Sequence, residues 1–287
     1  MTDPYINNDL KDVESAVSEF CARELDQDHL HKLEDEHRYP RELYEKIGEL
    51  GFIGVGFAED IGGSGYGALG HVMAVKELCR CLPGMGMALS LGYIPGFVVD
   101  IYGSDEQREK YVRPMIEGKY ISAISVTEPD SGSDLMSLKT RMEDGGDRYV
   151  VNGSKVFTTN AGYADFYALL AKDEDRQSIM MIDRDLIEKN GPGRFEINDL
   201  GRKMGINTTT SGELVFSDLD VLAVGPIVRE VSSEFDRYWA SGSAYPASRV
   251  LPPAVMGMLV VYCLRDVSLM TAPHGLPEAL ALALVVL

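Results

Sequence analysis

The sequence predicts an α+β protein: an N-terminal all-helical domain, then a small β-barrel or β-sandwich domain, then a short aberrant C-terminal tail. Between Leu10 and Met115, apolar residues recur at three- and four-residue spacing, which is typical of amphipathic helices. From Ile121 to about Val221 they alternate in short runs between Gly, Asn and Asp turns, which is typical of strands. Because the two patterns are segregated along the chain, the α+β class is favoured. We predict domains at 1–120, 121–222 and 223–287.

The composition is that of an ordinary globular protein with an acidic surface. The 287 residues include 27 Lys and Arg against 45 Asp and Glu, a formal net charge of −18. This charge argues against nucleic acid or an anionic membrane surface as a partner. An anionic ligand would therefore have to be held by local hydrogen-bond donors.

The sequence predicts neither export nor a membrane span. The polar, acidic residues 1–4 are unlike a secretory signal. No run reaches the roughly 18 uninterrupted apolar residues of a spanning helix. The four cysteines form no C-x-x-C pair, which favours free thiols in a reducing compartment. We predict a cytoplasmic protein.

The first part of the helical region combines an apolar stripe with a charged tract. The stripe at 10–21 predicts a helix, and we interpret the charged tract 24–38 as its solvated end. His29, His31 and His37 lie in this tract. Their spacing does not place two of them on one helical face at i and i+4, so we predict no metal site.

Four further helices are predicted from their boundaries and stripes. Pro40 is placed to start one helix and Gly51 to end it. The stripe at 72–82 predicts the next helix. The apolar segment 85–102 predicts a buried core helix with a kink or break at its internal proline. A capping box at 104–107 opens the last helix.

Alternating runs in the second half predict eight strands. They are at 121–127, 136–143, 147–151, 155–160, 165–171, 177–183, 194–197 and 212–217. Asn152-Gly153 between two of these runs is a strong signal for a tight hairpin turn. The turn would bring residues 157–159 back towards residues 126–127.

The loop at 127–134 has the composition of a binding segment. Its sequence, TEPDSGSD, is rich in hydroxyl and carboxylate groups. Pro129 removes a backbone donor and favours an extended Glu128. Gly132, between two serines, allows close approach of a ligand and can offer its N–H to an anion.

Three segments together resemble the acyl-CoA dehydrogenase family. They are AISVTEPDSGSD (123–134), YVVNGSKVFTTNAGYAD (149–165) and LGRKMGINTTTSGELVFSDLDV (200–221). The resemblance extends over roughly residues 8–222. It implies a flavoprotein oxidoreductase of fatty acid metabolism, which uses FAD to oxidise a saturated acyl-CoA thioester to the 2,3-enoyl form.

The resemblance also implies a set of cofactor-binding residues. They are Ile124, Val126, Thr127, Gly132, Ser133, Phe157, Thr158 and Thr159. Taken singly, the hydroxyl residues could instead satisfy turns or strand ends, and the aromatic residue could be ordinary core. As a set on two neighbouring segments, they favour the flavin interpretation.

Each implied role is specific. Thr127 resembles the hydroxyl that bonds the pyrimidine side of the flavin, with Val126 as its backbone partner. Phe157 resembles the aromatic wall, and Thr159 the hydroxyl near N5 and O4. The turn 132–133 resembles the segment that meets the pyrophosphate and the coenzyme A arm, which makes Ser133 an implied substrate contact as well.

The resemblance stops near Leu222. Family members continue into a helical domain with an Arg–x–x–Phe–Gly segment and a catalytic glutamate, and neither pattern occurs here. We interpret the apolar tail 232–287 as the product of a shifted reading frame or early stop. A genuine short variant whose tail packs on a partner, and a membrane-associated tail, are the alternatives. The catalytic base is unassigned, and Glu230, Glu234 and Glu278 are the glutamates to search.

The resemblance implies an acyl-CoA substrate and an electron-transfer flavoprotein or similar acceptor as partners. Relatives are homo-oligomers, but a chain without the third domain would lack the bundle through which they form tetramers. Two other functions stay open. One is a non-catalytic acyl-thioester-binding or scaffold protein. The other is a related flavoprotein that acts on a carrier-bound acyl thioester or a nitroalkane.

Overall fold

The computed structural model describes residues 7–24, 26–145, 148–173 and 176–221. The first half of this range is helical and the second half is built on one mixed β-sheet, so the predicted α+β architecture is confirmed. The predicted tail, 223–287, lies outside the described residues. So do Glu230, Glu234 and Glu278.

The helical part contains seven α-helices within the described residues, and an eighth follows in the β part. Their bounds are α1 (Asn8–Glu24), α2 (Gln27–Glu36), α3 (Arg41–Glu49), α4 (Gly67–Cys81), α5 (Pro83–Tyr102), α6 (Asp105–Gln107), α7 (Arg113–Ile116) and α8 (Arg184–Asn190). The capping box predicted before α6 is present, since the Ser104 and Gln107 side chains each accept from the other's backbone N–H. The helix α8 was not predicted.

The charged tract after α1 forms a helix of its own rather than the solvated end of α1. Asp26 caps α2 by accepting a hydrogen bond from the His29 N–H at 3.4 Å. His37 ends the helix in the left-handed conformation, with φ +53°. Leu30 and Leu33 are buried against the other helices. The apolar pair was obscured in the sequence by the many charges around it.

The helix α5 is the buried core helix that the sequence predicts, but it is not broken at Pro95. The missing N–H of an interior proline costs about 3 kcal/mol, and burial of most of the helix offsets this cost. Among the described residues, α5 is also the helix long and apolar enough to cross a membrane. Its most apolar window is 78% buried inside the protein, as expected of a core helix.

Within the described residues, seven strands form one sheet. Their bounds are β1 (Ser122–Ser125), β2 (Arg141–Asp144), β3 (Tyr149–Thr159), β4 (Phe166–Asp173), β5 (Arg176–Asp183), β6 (Phe195–Asp199) and β7 (Ser211–Val221). The order is β1-β4-β2-β3-β7-β6, with β5 paired to β4. The pairings of β4 with β1 and with β2 are parallel, and the others are antiparallel.

The hairpin predicted at Asn152-Gly153 is wrong. β3 runs without interruption through both residues, and the turn lies earlier, where the Gly145 N–H donates to the Arg148 carbonyl at 2.8 Å. Gly153 has φ +142° and lies so close to Thr140 that an added Cβ would come within 2.7 Å of its Cα. Glycine is therefore needed here for a close backbone approach and a positive φ, not for a turn.

The strand predicted at 136–143 is also largely wrong. Leu135–Ser137 is a short 3₁₀ turn, and regular pairing begins only at Arg141. The backbone N–H groups of Lys139 and Thr140 donate to the Glu128 carboxylate instead of to a neighbouring strand. This stretch is therefore the floor of the 127–134 loop rather than part of the ladder.

The two parts of the chain share a hydrophobic core. One buried cluster contains Tyr93 and Phe97 of α5 together with Phe166 of β4 and Ile179 of β5. Separate clusters fill the helical part and the β part. Because α5 contributes to the shared cluster and packs against β1, the β1 edge of the sheet is held firmly against the helical part.

His71 of α4 has a buried imidazole ring that makes no hydrogen bond within the described residues. Its ring stacks on Tyr93 with the ring centroids 4.0 Å apart, and neither ring nitrogen has a partner in the described part of the chain. Burial lowers the pKa of His71 to about 3, because a charged imidazole would be desolvated without compensation.

We expect His71 to make the fold sensitive to acid. The unfolded chain protonates His71 near pH 6.5, but the folded chain keeps it neutral down to about pH 3. Stability is therefore lost as the pH falls through this window, by up to about 1.4 kcal/mol per pH unit. When the pH is lowered from 7 to 4.5, the free energy of unfolding in urea should fall by about 2 kcal/mol less for His71→Leu than for the wild type. Equal losses would contradict the prediction.

Candidate functional site

The two segments singled out in the sequence lie side by side. The Val156 N–H of β3 donates to the Thr127 carbonyl at 2.8 Å. The Thr158 hydroxyl donates to the Ser125 hydroxyl of β1 at 3.2 Å. The end of β1, the start of the loop and the end of β3 therefore meet at one place, although the predicted hairpin does not bring them together.

Phe157 is the most unusual residue at this place. Its side chain is 69% exposed, while Lys155 and Thr158 on the same strand are buried. Its φ is +59°, a conformation that costs a residue with a side chain about 1–2 kcal/mol. The pairing of β3 with β7 shifts register between Lys155 and Thr158, which turns the aromatic ring outward. Such strain with an exposed aromatic ring is typical of ligand sites.

The predicted residues of β1 and the loop lie beside the end of β3, to which the Val156–Thr127 backbone bond joins them. Ile124, Val126 and Thr127 are each half-buried, so each presents part of its surface. Gly132 lies next to Thr127, since an added Cβ would sit 3.9 Å from the threonine methyl group. Gly132 and Ser133 are exposed, which leaves their backbone accessible.

Thr158 and Thr159 differ in what they can offer to a ligand. The Thr158 side chain is buried and its hydroxyl is bonded to Ser125. If Thr158 contacts the cofactor as predicted, it does so through its backbone and not through its side chain. Thr159 pairs with Ser211 of β7 and is 8% exposed. Its hydroxyl stays the predicted donor.

A buried ion pair supports the loop from behind. Lys155 Nζ donates to Glu128 Oε1 at 2.8 Å and to the Val126 carbonyl at 2.9 Å. The Lys155 side chain is 0% exposed and that of Glu128 is 3% exposed. Glu128 also accepts the backbone N–H groups of Lys139 at 2.5 Å and Thr140 at 2.9 Å. All these bonds hold residues 126–128 against β2 and β3.

The electrostatics of the pair follow from its burial and its bonds. Burial by itself would raise the pKa of Glu128, but hydrogen bonds from Lys155, Lys139 and Thr140 lower it below the usual value. Burial lowers the pKa of Lys155, and the contact with Glu128 opposes this shift. Glu128 is thus an ionised carboxylate that holds the loop in place.

Three structurally important residues were missed from the sequence. Lys155 lies in a strand, where lysine normally indicates the solvent face, yet its side chain is completely buried. Asn160 has φ +67° and its amide nitrogen donates to the Ala88 and Ser122 carbonyls at 3.0 Å. An asparagine directly after a strand was the available signal for a left-handed residue.

Glu34 of α2 is the third missed residue. Its carboxylate accepts the N–H groups of Asn207 and Thr208, and also the Thr208 hydroxyl at 2.9 Å. More than 170 residues separate the partners in the chain. No local pattern in a charged helix could single out this glutamate from its neighbours.

Comparison with known proteins identifies the fold and the family. The family model for the acyl-CoA dehydrogenase N-terminal domain matches residues 7–119. The model for the acyl-CoA dehydrogenase middle domain matches residues 123–219. Over residues 7–219, this chain belongs to the acyl-CoA dehydrogenase family. The resemblance seen in the sequence is confirmed. The family consists of flavoprotein oxidoreductases of acyl-CoA metabolism.

Individual relatives extend this finding. A short-chain-specific acyl-CoA dehydrogenase of Clostridium acetobutylicum is 33% identical over 219 residues, or 76% of this chain and 57% of that protein. A chain in a structure of the electron transferring flavoprotein of Acidaminococcus fermentans is 26% identical, with a TM-score of 0.70, covering 90% of this chain and 67% of that one. Butyryl-CoA dehydrogenase from Megasphaera elsdenii, at 24% identity, has a TM-score of 0.72 over 98% of this chain and 85% of its own, which shows the shared fold.

The chain spans a little over half the length of the first of these relatives. Relatives in the family are FAD-binding flavoproteins. The residues present here fit that group, because an exposed aromatic face on strained backbone lies beside hydroxyl groups, half-exposed apolar side chains and an accessible glycine turn. In a chain of net charge −18, such local donors are what an anionic dinucleotide requires.

Proposed function

We propose that this chain binds FAD at the surface formed by Phe157, Thr127 and Thr159, and that it oxidises an acyl-CoA thioester to the 2,3-enoyl-CoA. Phe157 is the observation that carries the proposal. An aromatic residue that is 69% exposed and strained at φ +59° is costly to the fold unless a flat ligand covers it.

The other residues divide the task of holding the cofactor. The Phe157 ring supplies a stacking face. The Thr127 and Thr159 hydroxyls and the backbone of Val126 supply hydrogen bonds to the polar edge of a flavin. The Gly132–Ser133 turn offers backbone N–H groups to phosphate, and Ser133 also faces the substrate side. Bound FAD would accept the hydride from carbon 3 of the acyl chain as a base removes the proton from carbon 2.

The base itself is not assigned to a residue of the loop. Glu128 is buried and holds three hydrogen-bond donors. Asp130 pairs with Lys139 at 2.7 Å, and Asp134 accepts from the Ser137 hydroxyl. Each carboxylate of the loop is thus already engaged.

The proposed oxidation also needs a partner that takes the electrons from the reduced cofactor. The similarity to a chain in an electron transferring flavoprotein structure supports such a flavoprotein, or a similar acceptor, as that partner.

The test is a visible spectrum of the purified chain after incubation with FAD. We expect a bound flavin with stoichiometry near one, and bleaching of its absorbance when a matching acyl-CoA is added without oxygen. Phe157→Ala should weaken FAD binding roughly tenfold or more, since stacking on an aromatic ring contributes about 1–3 kcal/mol. Thr127→Val should also weaken or alter it. Tyr66→Ala, which removes a 40% exposed aromatic residue from the helical part, should leave FAD binding unchanged. A chain that takes up no FAD would refute the proposal.

A second function is favoured by the engaged carboxylates. If no base reaches the site, the chain is a non-catalytic acyl-thioester-binding protein that retains FAD. The same titration separates the two functions. Flavin that binds and does not bleach with any acyl-CoA would support the second function, whereas bleaching would exclude it.

A further inference from the structure

The peptide between Val126 and Thr127 connects a buried cation to the proposed cofactor site. Lys155 Nζ lies 2.9 Å from the Val126 carbonyl oxygen, on the inner side of the loop. In a trans peptide the C=O and N–H point in opposite directions. The Thr127 N–H therefore points away from Lys155 towards the half-exposed side. Within the described residues it donates to no protein acceptor.

We propose that Lys155 is a positioning residue that strengthens the Thr127 N–H as a donor to FAD and thereby favours the reduced over the oxidised cofactor. This inference rests on the proposed FAD site and deepens it. Lys155 does not touch the ligand surface, since its side chain is completely buried. It acts through the peptide to which it is bonded.

The arrangement is suited to polarise that peptide. Hydrogen bonds from a charged donor are roughly twice as strong as neutral ones, and chains of bonds strengthen one another by about 10–30% in a low-dielectric interior. Here the polarising chain runs from the Lys155 ammonium to the Val126 carbonyl and emerges at the Thr127 N–H, while Glu128 holds the ammonium in place. Two backbone N–H groups fix Glu128 at the far end, so the dipoles stay aligned.

The neighbouring peptide is oriented by β3 as well. The Thr127 carbonyl accepts the Val156 N–H at 2.8 Å, one residue before Phe157. The donor at Thr127 and the aromatic face are therefore positioned by the same short piece of strand. Reduction adds electron density to the polar edge of a flavin, so a strengthened donor binds the reduced form more tightly than the oxidised form.

The decisive variant removes the cation without leaving its partner charged. Glu128→Gln/Lys155→Met keeps the pair neutral and similar in volume, and the glutamine oxygen can still accept from one of the two backbone N–H groups. We expect the preference for reduced over oxidised FAD to fall about tenfold, which lowers the midpoint potential of bound FAD by about 30 mV for a two-electron couple. Dye-equilibrated reduction followed in the visible spectrum measures the potential.

The matched control is Lys139→Met. Lys139 belongs to the same loop floor, but its ammonium group pairs with Asp130 at the surface, where the two side chains are 71% and 68% exposed. Its backbone N–H, which bonds Glu128, is kept. The potential of bound FAD should not change in this variant, because an exposed cation is screened by water.

The measured potential distinguishes two roles of the ion pair. In the first, Lys155 polarises the Val126–Thr127 peptide; in the second, the pair only stabilises the loop. In the second case the double variant would bind oxidised and reduced FAD more weakly by the same factor, and the unchanged potential would overturn the inference. If the double variant does not fold by circular dichroism, Glu128→Gln/Lys155→Gln, which retains a neutral donor near Val126, is measured by the same criterion. A wild-type chain that takes up no FAD would overturn the proposed function and this inference with it.

Discussion

Replacing Lys155 alone with methionine should lower the free energy of unfolding by about 3–5 kcal/mol, because it leaves the Glu128 carboxylate buried without its cation. The two backbone N–H groups that remain on Glu128 satisfy part of its hydrogen-bonding capacity, but they do not balance its charge. This is a large fraction of the roughly 5–15 kcal/mol that stabilises a typical domain.

Urea unfolding measures the effect as a shift of the midpoint at constant slope. Lys139→Met, which breaks an exposed pair in the same region, should cost about 0–1 kcal/mol. The double variant Glu128→Gln/Lys155→Met should recover most of the loss, since neither charge is then left unpaired. A Lys155→Met protein as stable as the wild type would show that the pair is open to water.

The order of elements could be predicted from the sequence because it depends on local periodicity. The stripe of α1, the capping box at Ser104 and Gln107, and the alternating runs of β4 and β7 are each visible within a dozen residues. The candidate site segments could be singled out by their resemblance to family motifs, which are also local. Their hydroxyl, glycine and aromatic residues lie in two short stretches, 124–133 and 157–159.

What could not be predicted depends on contacts between distant parts of the chain. Asn152-Gly153 has the sequence of a turn, but β3 continues through both residues, and Gly153 accommodates the close approach of Thr140. Pro95 has the signature of a helix break, but burial keeps α5 whole. Lys155 would be placed on the solvent face, yet its partner Glu128 lies 27 residues away on another segment. In each case tertiary packing overrides a correct local rule.

The Asn160 amide joins the helical part to the sheet. Its nitrogen donates to Ala88 of α5 and to Ser122 of β1, and its oxygen accepts from the Thr209 hydroxyl at 3.3 Å. The side chain is fully buried, so these carbonyls have no access to water in its place. The residue also has φ +67°, which a side chain other than that of asparagine or aspartate tolerates poorly.

Asn160→Ala should therefore lose about 3 kcal/mol of unfolding free energy, because it removes three buried side-chain hydrogen bonds that contribute about 0.5–1.5 kcal/mol each. Asn160→Gly removes the same hydrogen bonds but accepts the left-handed backbone, so it should be more stable than the alanine variant by about 1 kcal/mol. Urea unfolding of both variants separates the two contributions. If glycine and alanine are equally destabilising, the left-handed conformation carries no cost. If neither variant is destabilising, the amide does not join the two parts of the fold. A large loss for both, with glycine the smaller, would establish Asn160 as the residue that holds α5 against the β1 edge beside the proposed cofactor site.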